Sequence, residues 1–206
     1  ANNSLSSLII TDTGNYPVGF GDFADDGLWF YVPVGDIRIY DHRDNGFVGR
    51  FNTLTYEFAY ADSVDYPAAT YRITVEEPGA GLRIIYTEAD DFATWKAMVV
   101  GASTETIEDV TIDFDTYTTI NAFLGGAYLS GTYFLYFLAD DGGGEVPIYF
   151  TSADGLTYAL QGLTDFTISR PMILPFNSGL IAYDLSVGGG IPYPVYSSTD
   201  GASWVY

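Results

Sequence analysis

The chain reads as a succession of short apolar and aromatic runs, broken by turns rich in Gly, Pro, Asp and Asn. Runs of this length, bounded by such turns, predict strands rather than helices. Four pairs of runs carry the pattern. The first members are Leu28–Tyr31, Tyr71–Val75, Tyr133–Tyr136 and Leu180–Tyr183, and the second members end on Tyr40, Tyr86, Phe150 and Tyr196. A Gly or Pro turn joins the members of each pair, at Pro33 to Asp36, Glu77 to Gly81, Asp140 to Gly144, and Gly188 to Gly190. Such turns predict antiparallel neighbours.

Four residues after each closing aromatic stands an aspartate, Asp44, Asp90, Asp154 and Asp200, at spacings of 46, 64 and 46. Periods in the forties belong to propellers and similar arrays, and the middle interval carries an insertion of 64 − 46 = 18 residues. Two of the aspartates sit in complete copies of a motif Ser-x-Asp-Gly-x-[Ser/Thr]-[Trp/Tyr]: Ser152, Asp154, Gly155, Thr157 and Tyr158, then Ser198, Asp200, Gly201, Ser203 and Trp204. An Asp that bonds its own backbone, a Gly free to take positive φ and an aromatic opening the next strand make a rigid hairpin corner. The other copies are degenerate: one keeps Asp44 and Gly46, the other Asp90, Thr94 and Trp95.

The third and fourth units also share Asp109–Ile112 and Asp165–Ile168, each followed by an apolar run, Ile120–Leu124 and Met172–Phe176. These read as linker and innermost strand. Each unit is then a meander of four short strands, too small to bury both faces alone and stable only against its neighbours. The expected fold is all-β: a single domain over 1–206, forming a small β-propeller of about four four-stranded antiparallel blades, with units at about 12–52, 53–103, 104–163 and 164–206. Residues 4–11, with the apolar run Leu5–Thr11, have no unit of their own. They are expected to close the last blade, removing two open sheet edges. The alternative is a larger ring completed by several chains.

The two complete corners resemble the Asp-box, or BNR repeat, of sialidases, sortilin-type receptors and many secreted or viral β-propellers. The resemblance covers four corners and their flanking strands. It implies that each box lies between the third and fourth strands of a blade, away from the funnel where ligands bind. Asp44, Gly46, Asp90, Trp95, Ser152, Asp154, Gly155, Tyr158, Ser198, Asp200, Gly201 and Trp204 are therefore expected to be structural.

Charge narrows the partners. With 27 Asp plus Glu against seven Lys plus Arg, the net charge of −20 repels nucleic acid and anionic membranes, so neither is an expected partner. There is no Cys, which removes disulfides and thiolate chemistry. Residues Thr116 to Ala139 carry no charge and are long enough to raise the question of a membrane helix. Gly125, Gly126 and Gly131, interspersed with Thr and Ser, align this stretch instead with two strands of the third unit.

Candidate chemistry is sparse. A sialidase-like hydrolase needs an arginine cluster for a substrate carboxylate, a Tyr nucleophile with its carboxylate base, and an acid. Of Arg38, Arg43, Arg50, Arg72, Arg83 and Arg170, most fall on outer strands or corners; Arg72 and Arg170 are the exceptions. With Tyr193, in the turn Ile191–Pro194, they are the candidate ligand contacts. His42 stands where the other boxes have Ser and reads as a corner hydrogen-bonding group, ahead of a metal ligand or a general base. The acidic turns Asp22–Gly27 and Asp140–Glu145 offer oxygens of the kind Ca²⁺ takes, but without EF-hand spacing they read better as solvated turns, and no cofactor is expected. The expected role is a non-catalytic structural or adhesion module of an extracellular or virion assembly, a phage particle being the leading example, contacting other protein subunits. The alternative is a glycan-binding propeller or a degenerate sialidase-like glycoside hydrolase, with some of the 18 Tyr, 14 Phe and three Trp stacking on sugar.

Overall fold

A computed structural model of the chain describes residues 9–11, 17–19, 29–42, 47–60, 72–77, 79–87, 94–114, 117, 119–164, 171–176, 178–184 and 195–206. Among these residues every regular element is a strand. Strands β1 (Ile9–Thr11) and β2 (Pro17–Gly19) pair with each other. The first sheet is the meander β3 (Trp29–Val34), β4 (Ile37–His42), β5 (Phe47–Asn52) and β6 (Phe58–Tyr60). The second is β7 (Arg72–Glu77), β8 (Gly81–Thr87), β9 (Trp95–Val100) and β10 (Glu105–Ile112). The third is β11 (Thr119–Leu129), β12 (Thr132–Asp140), β13 (Glu145–Ser152) and β14 (Thr157–Leu163). The fourth is β15 (Pro171–Phe176), β16 (Gly179–Asp184) and β17 (Val195–Ser198), with Val205 bridged to Ser197 at its edge. Pairing within each sheet is antiparallel, whereas β10 and β14 meet in parallel at Thr111↔Thr157 and Ile112↔Tyr158 and join the second and third sheets.

No meander buries both its faces alone, and the side chains show how the sheets solve this. Alternation along β12 sends Tyr133, Leu135 and Phe137 to one core and Phe134, Tyr136 and Leu138 to another. The first of these cores lies between the second and third sheets, the other between the third and fourth. A further core joins Ile39 of the first sheet to Leu82, Ile84, Met98 and Val100 of the second. The sheets therefore stack face to face in chain order, as propeller blades do. Both faces of β12 are covered, which is why this part of the sequence is an unbroken apolar run. Among the described residues no helix is long and apolar enough to cross a membrane.

The all-β fold of repeated antiparallel meanders agrees with the sequence expectation, but the unit boundaries shift. Strand β6 extends the first sheet past residue 52, and β10 extends the second past 103. In both cases the chain makes one more hairpin outside the corner before crossing over. Asp109–Ile112 is thus the end of an outer strand rather than a linker, while Asp165–Ile168 lies outside the described residues. The N-terminal run also differs: its described part, β1, pairs locally with β2 rather than with the last sheet. A short hairpin closes a small loop and costs less chain entropy than docking across the whole sequence.

One strand holds three sheets together. β11 packs against β7 on one side and β15 on the other, and two consecutive glycines permit it. A Cβ on Gly126 would lie 2.5 Å from Ile73 Cγ2 and 2.9 Å from Val75 Cγ2. A Cβ on Gly125 would lie 2.3 Å from the Ile173 carbonyl oxygen, and Gly125 has φ of +149°, at a register shift in the β11–β12 ladder. Substituting Gly125 by Ala should therefore cost about 2–4 kcal/mol, because strain adds to a clash with backbone that cannot rotate away. Gly126→Ala should cost less, since side chains can shift. Urea unfolding of the two variants beside the parent checks the order.

Candidate functional site

The two complete corners fold in the same way. In the first, the Gly155 N–H donates to Ser152 Oγ (2.9 Å), and the serine hydroxyl donates in turn to Asp154 Oδ1 (2.8 Å). The same carboxylate oxygen accepts the Leu156 and Thr157 N–H groups at 2.8 and 2.9 Å. The second repeats this atom for atom: Gly201 N–H to Ser198 Oγ at 2.8 Å, Ser198 Oγ to Asp200 Oδ1 at 3.1 Å, and the Ala202 and Ser203 N–H groups to Asp200 Oδ1 at 2.9 and 2.8 Å. Ser is needed because one small group must accept from the glycine and donate to the aspartate. The backbone N–H donors hold both carboxyls well below the usual carboxylate range, at about 2.

The glycines serve a second purpose, since each corner docks onto the preceding sheet. Gly155 and Gly201 take φ of +72° and +77°. A Cβ at Gly155 would meet the Arg83 guanidinium at 2.7 Å, and one at Gly201 would meet the Phe134 ring at 2.5 Å. Each glycine carbonyl accepts from that sheet, from Arg83 Nη1 at 3.4 Å and from the Tyr136 hydroxyl at 2.7 Å. Arg50 supplies the corresponding fastener between the first and second sheets: it donates to the Gly101 and Thr104 carbonyls at 2.7 and 2.8 Å and pairs with Glu105 at 2.5 Å.

Arg83 is 7% exposed. Its Nη1 lies 3.7 Å from Glu108, and its guanidinium stands 5.0 Å from the centre of the Tyr133 ring. Burial, together with a hydrogen bond to Glu77, raises the Tyr133 hydroxyl to about 12. An arginine, a tyrosine and two carboxylates are therefore neighbours, the residue types a sialidase-like site requires. Their arrangement suits fastening better. The backbone of Gly155 covers the guanidinium, and a tyrosine whose pKa is raised is a poor nucleophile at neutral pH. Burial likewise pushes the Tyr136 and Tyr158 hydroxyls up.

The remaining sequence candidates fall as follows. Tyr158, Trp95 and Trp204 are buried in the cores between sheets. Trp95 meets Phe123 and Phe137 edge to face, at 5.3 and 5.9 Å between ring centres. Arg72 opens β7 opposite Tyr86. Asp44, Gly46, Asp90, Arg170 and Tyr193 lie outside the described residues, as does the acidic turn Asp22–Gly27. In the other acidic turn, Asp140 and Asp141 accept the Gly142 and Gly143 N–H groups, each at 2.8 Å, so the carboxylates brace the turn itself. Among the described residues no group of three or more His, Cys, Asp or Glu side chains is placed to hold a metal ion. Sequence reasoning missed Arg50 and Arg83 as fasteners. Arg83 carried a signal in hindsight, being a lone charge inside the apolar run Leu82–Tyr86.

No protein-family model matches the chain, and no curated protein matches it. Among solved structures, the Bombyx mori GH32 beta-fructofuranosidase BmSUC1 matches at 8% identity and a TM-score of 0.46, covering 87% of this chain and 47% of its own. A mutant of that enzyme in complex with sucrose matches at 9% identity and a TM-score of 0.46, with the same coverage. The chain spans about half the length of that enzyme, to which the named activity belongs.

Two predictions come from the corners. Replacing Ser152 by Ala strands the buried Gly155 N–H and should cost about 1–2 kcal/mol in thermal or urea unfolding. Both aspartates have folded values below the unfolded value of 3.8, so their contribution is complete above that pH and drains away as pH falls toward about 2. The Asp154→Asn, Asp200→Asn double variant should therefore show a flatter melting temperature across that interval than the parent.

Proposed function

We propose that the protein is a non-catalytic structural or adhesion module of an extracellular or virion assembly, a phage particle being the leading example, held there by contacts with other protein subunits. One observation carries the reading. The corner residues that the sequence motifs single out, together with three polar side chains on the sheet rims, are engaged in bracing corners and fastening one sheet to the next. Asp154, Asp200, Ser152 and Ser198 build the corners, and Arg50, Arg83 and Tyr136 clamp adjoining sheets. Their repeated geometry supports assigning these corners to the Asp-box type, in which the box is scaffold. A surface of net charge −20 keeps such a module soluble and off nucleic acid.

Density-gradient sedimentation of source material, probed with an antibody to the chain, tests this. The chain should travel with a particle far heavier than its own 22.5 kDa. Recovery only as free protein, together with hydrolysis of a chromogenic sialoside that is lost on changing Arg72 or Arg170, would replace the proposal with the hydrolase reading.

A further inference from the structure

We propose that a single buried water molecule is part of the joint between the second and third sheets, held between Arg83 Nε of β8 and the Tyr158 hydroxyl of β14. Two observations locate it. Arg83 and Tyr158 are 7% and 2% exposed, and among the described residues neither Arg83 Nε nor the Tyr158 hydroxyl has a hydrogen-bond partner. The two groups are also neighbours: of the side chains acting electrostatically on the Tyr158 hydroxyl, Arg83 is the strongest, ahead of Tyr133, Asp154 and Glu77. A buried polar atom left unpaired forfeits its hydration, so such atoms are nearly always bonded, and two at one place call for a shared partner. Thr87 Oγ1 is another such atom. It stands four residues from Arg83 along β8, about 13 Å away at the rise of a strand, out of reach of the same ligand.

The surroundings select the ligand. It must accept a hydrogen bond from the Arg83 Nε–H, because Arg83 Nη1 is already engaged by the Gly155 carbonyl and by Glu108. An anion would accept that bond, but Glu108 and Glu77 already stand against the one positive charge. A cation is repelled by the guanidinium. The Gly155 backbone and the Tyr133 ring, 5.0 Å from the guanidinium, enclose the place, so only a small molecule fits. Water is small and neutral, and it both accepts and donates. It takes the Nε–H and returns its own hydrogens to the Tyr158 hydroxyl and to the Tyr133 hydroxyl beside it, the roughly three bonds usual for a buried water.

The next joint shows what the water replaces. There Phe134 lies against the corner glycine Gly201 as Arg83 lies against Gly155, and the Tyr136 hydroxyl reaches the Gly201 carbonyl directly at 2.7 Å. Arg83 meets its own corner only at 3.4 Å. Where the third sheet grips the fourth through a short direct bond, the second grips the third through a long one, and the water adds a further link from β8 to β14.

The proposal is independent of the biological role above, and either can fail alone. A crystal structure of the full chain at about 1.5 Å resolution should show one water within about 3.2 Å of both Arg83 Nε and the Tyr158 hydroxyl. In solution, proton–nitrogen correlation spectra should show cross-relaxation between the Arg83 Nε–H and a slowly exchanging water. Tyr158→Phe should lower the melting temperature by about 2–4 °C, since the water then loses one of its partners. In a dry joint the same change removes an unpaired hydroxyl and raises the melting temperature instead. An ordered joint without water between the two side chains overturns the proposal, as does a Tyr158→Phe variant that melts at or above the parent.

Discussion

Everything in this fold depends on sheets touching face to face at close range, and the narrowest point is the passage of β11 between β7 and β15. Two glycines in succession leave the strand without side chains there, one toward each neighbour. Inner strands converge in any stack arranged around a common axis, so the space for a side chain is smallest at the centre and grows toward the rim. Residue size follows that gradient here. Gly125 and Gly126 lie at the centre, Ile73, Leu135 and Ile173 beside them, and Trp95, Phe114, Phe137 and Phe150 fill the wider part of the joint.

Hydrophobic contact is non-directional and does not fix how far one sheet slides on another. The rim fasteners do. Arg50, Arg83 and Tyr136 each reach from one sheet to backbone carbonyls in a turn of the next, so a slide of one residue would break the bond. Arg83 is the costly member, since burying a guanidinium forfeits hydration that Glu108 and the Tyr133 ring offset only in part. Replacing it with an apolar residue would remove that cost together with the constraint on register.

How much of this was legible in the sequence follows from what each signal encodes. Corner chemistry is local: Ser, Asp and Gly at fixed offsets specify a hydrogen-bond pattern over a few residues, and the two complete motifs folded alike. Strand periodicity is local too, so the meanders could be placed. Unit boundaries could not, because whether an outer hairpin such as β9–β10 joins the sheet before or after it depends on long-range pairing, here β10 with β14. The second role of Gly155 and Gly201, docking against Arg83 and Phe134, is equally non-local. Sequence spacing shows the turn and hides the neighbour.

The degenerate corner after Tyr86 shows how one extra residue changes a joint. In the complete motifs the aromatic follows its aspartate by four residues, whereas Trp95 follows Asp90 by five. Side chains alternate along a strand, so an odd step sends the ring to the opposite face. Tyr158 and Trp204 point back to the sheet before their own, while Trp95 points forward into the third sheet. The joint between the second and third sheets thus receives rings from both sides. Among the described side chains, the joint between the first and second holds Ile39, Leu82, Ile84, Met98 and Val100, with Tyr86. Aromatic edge-to-face pairs add about 0.5–1.5 kcal/mol each beyond area burial. The central pair of sheets, already joined through β10 and β14, is therefore held by backbone pairing as well as by ring contacts.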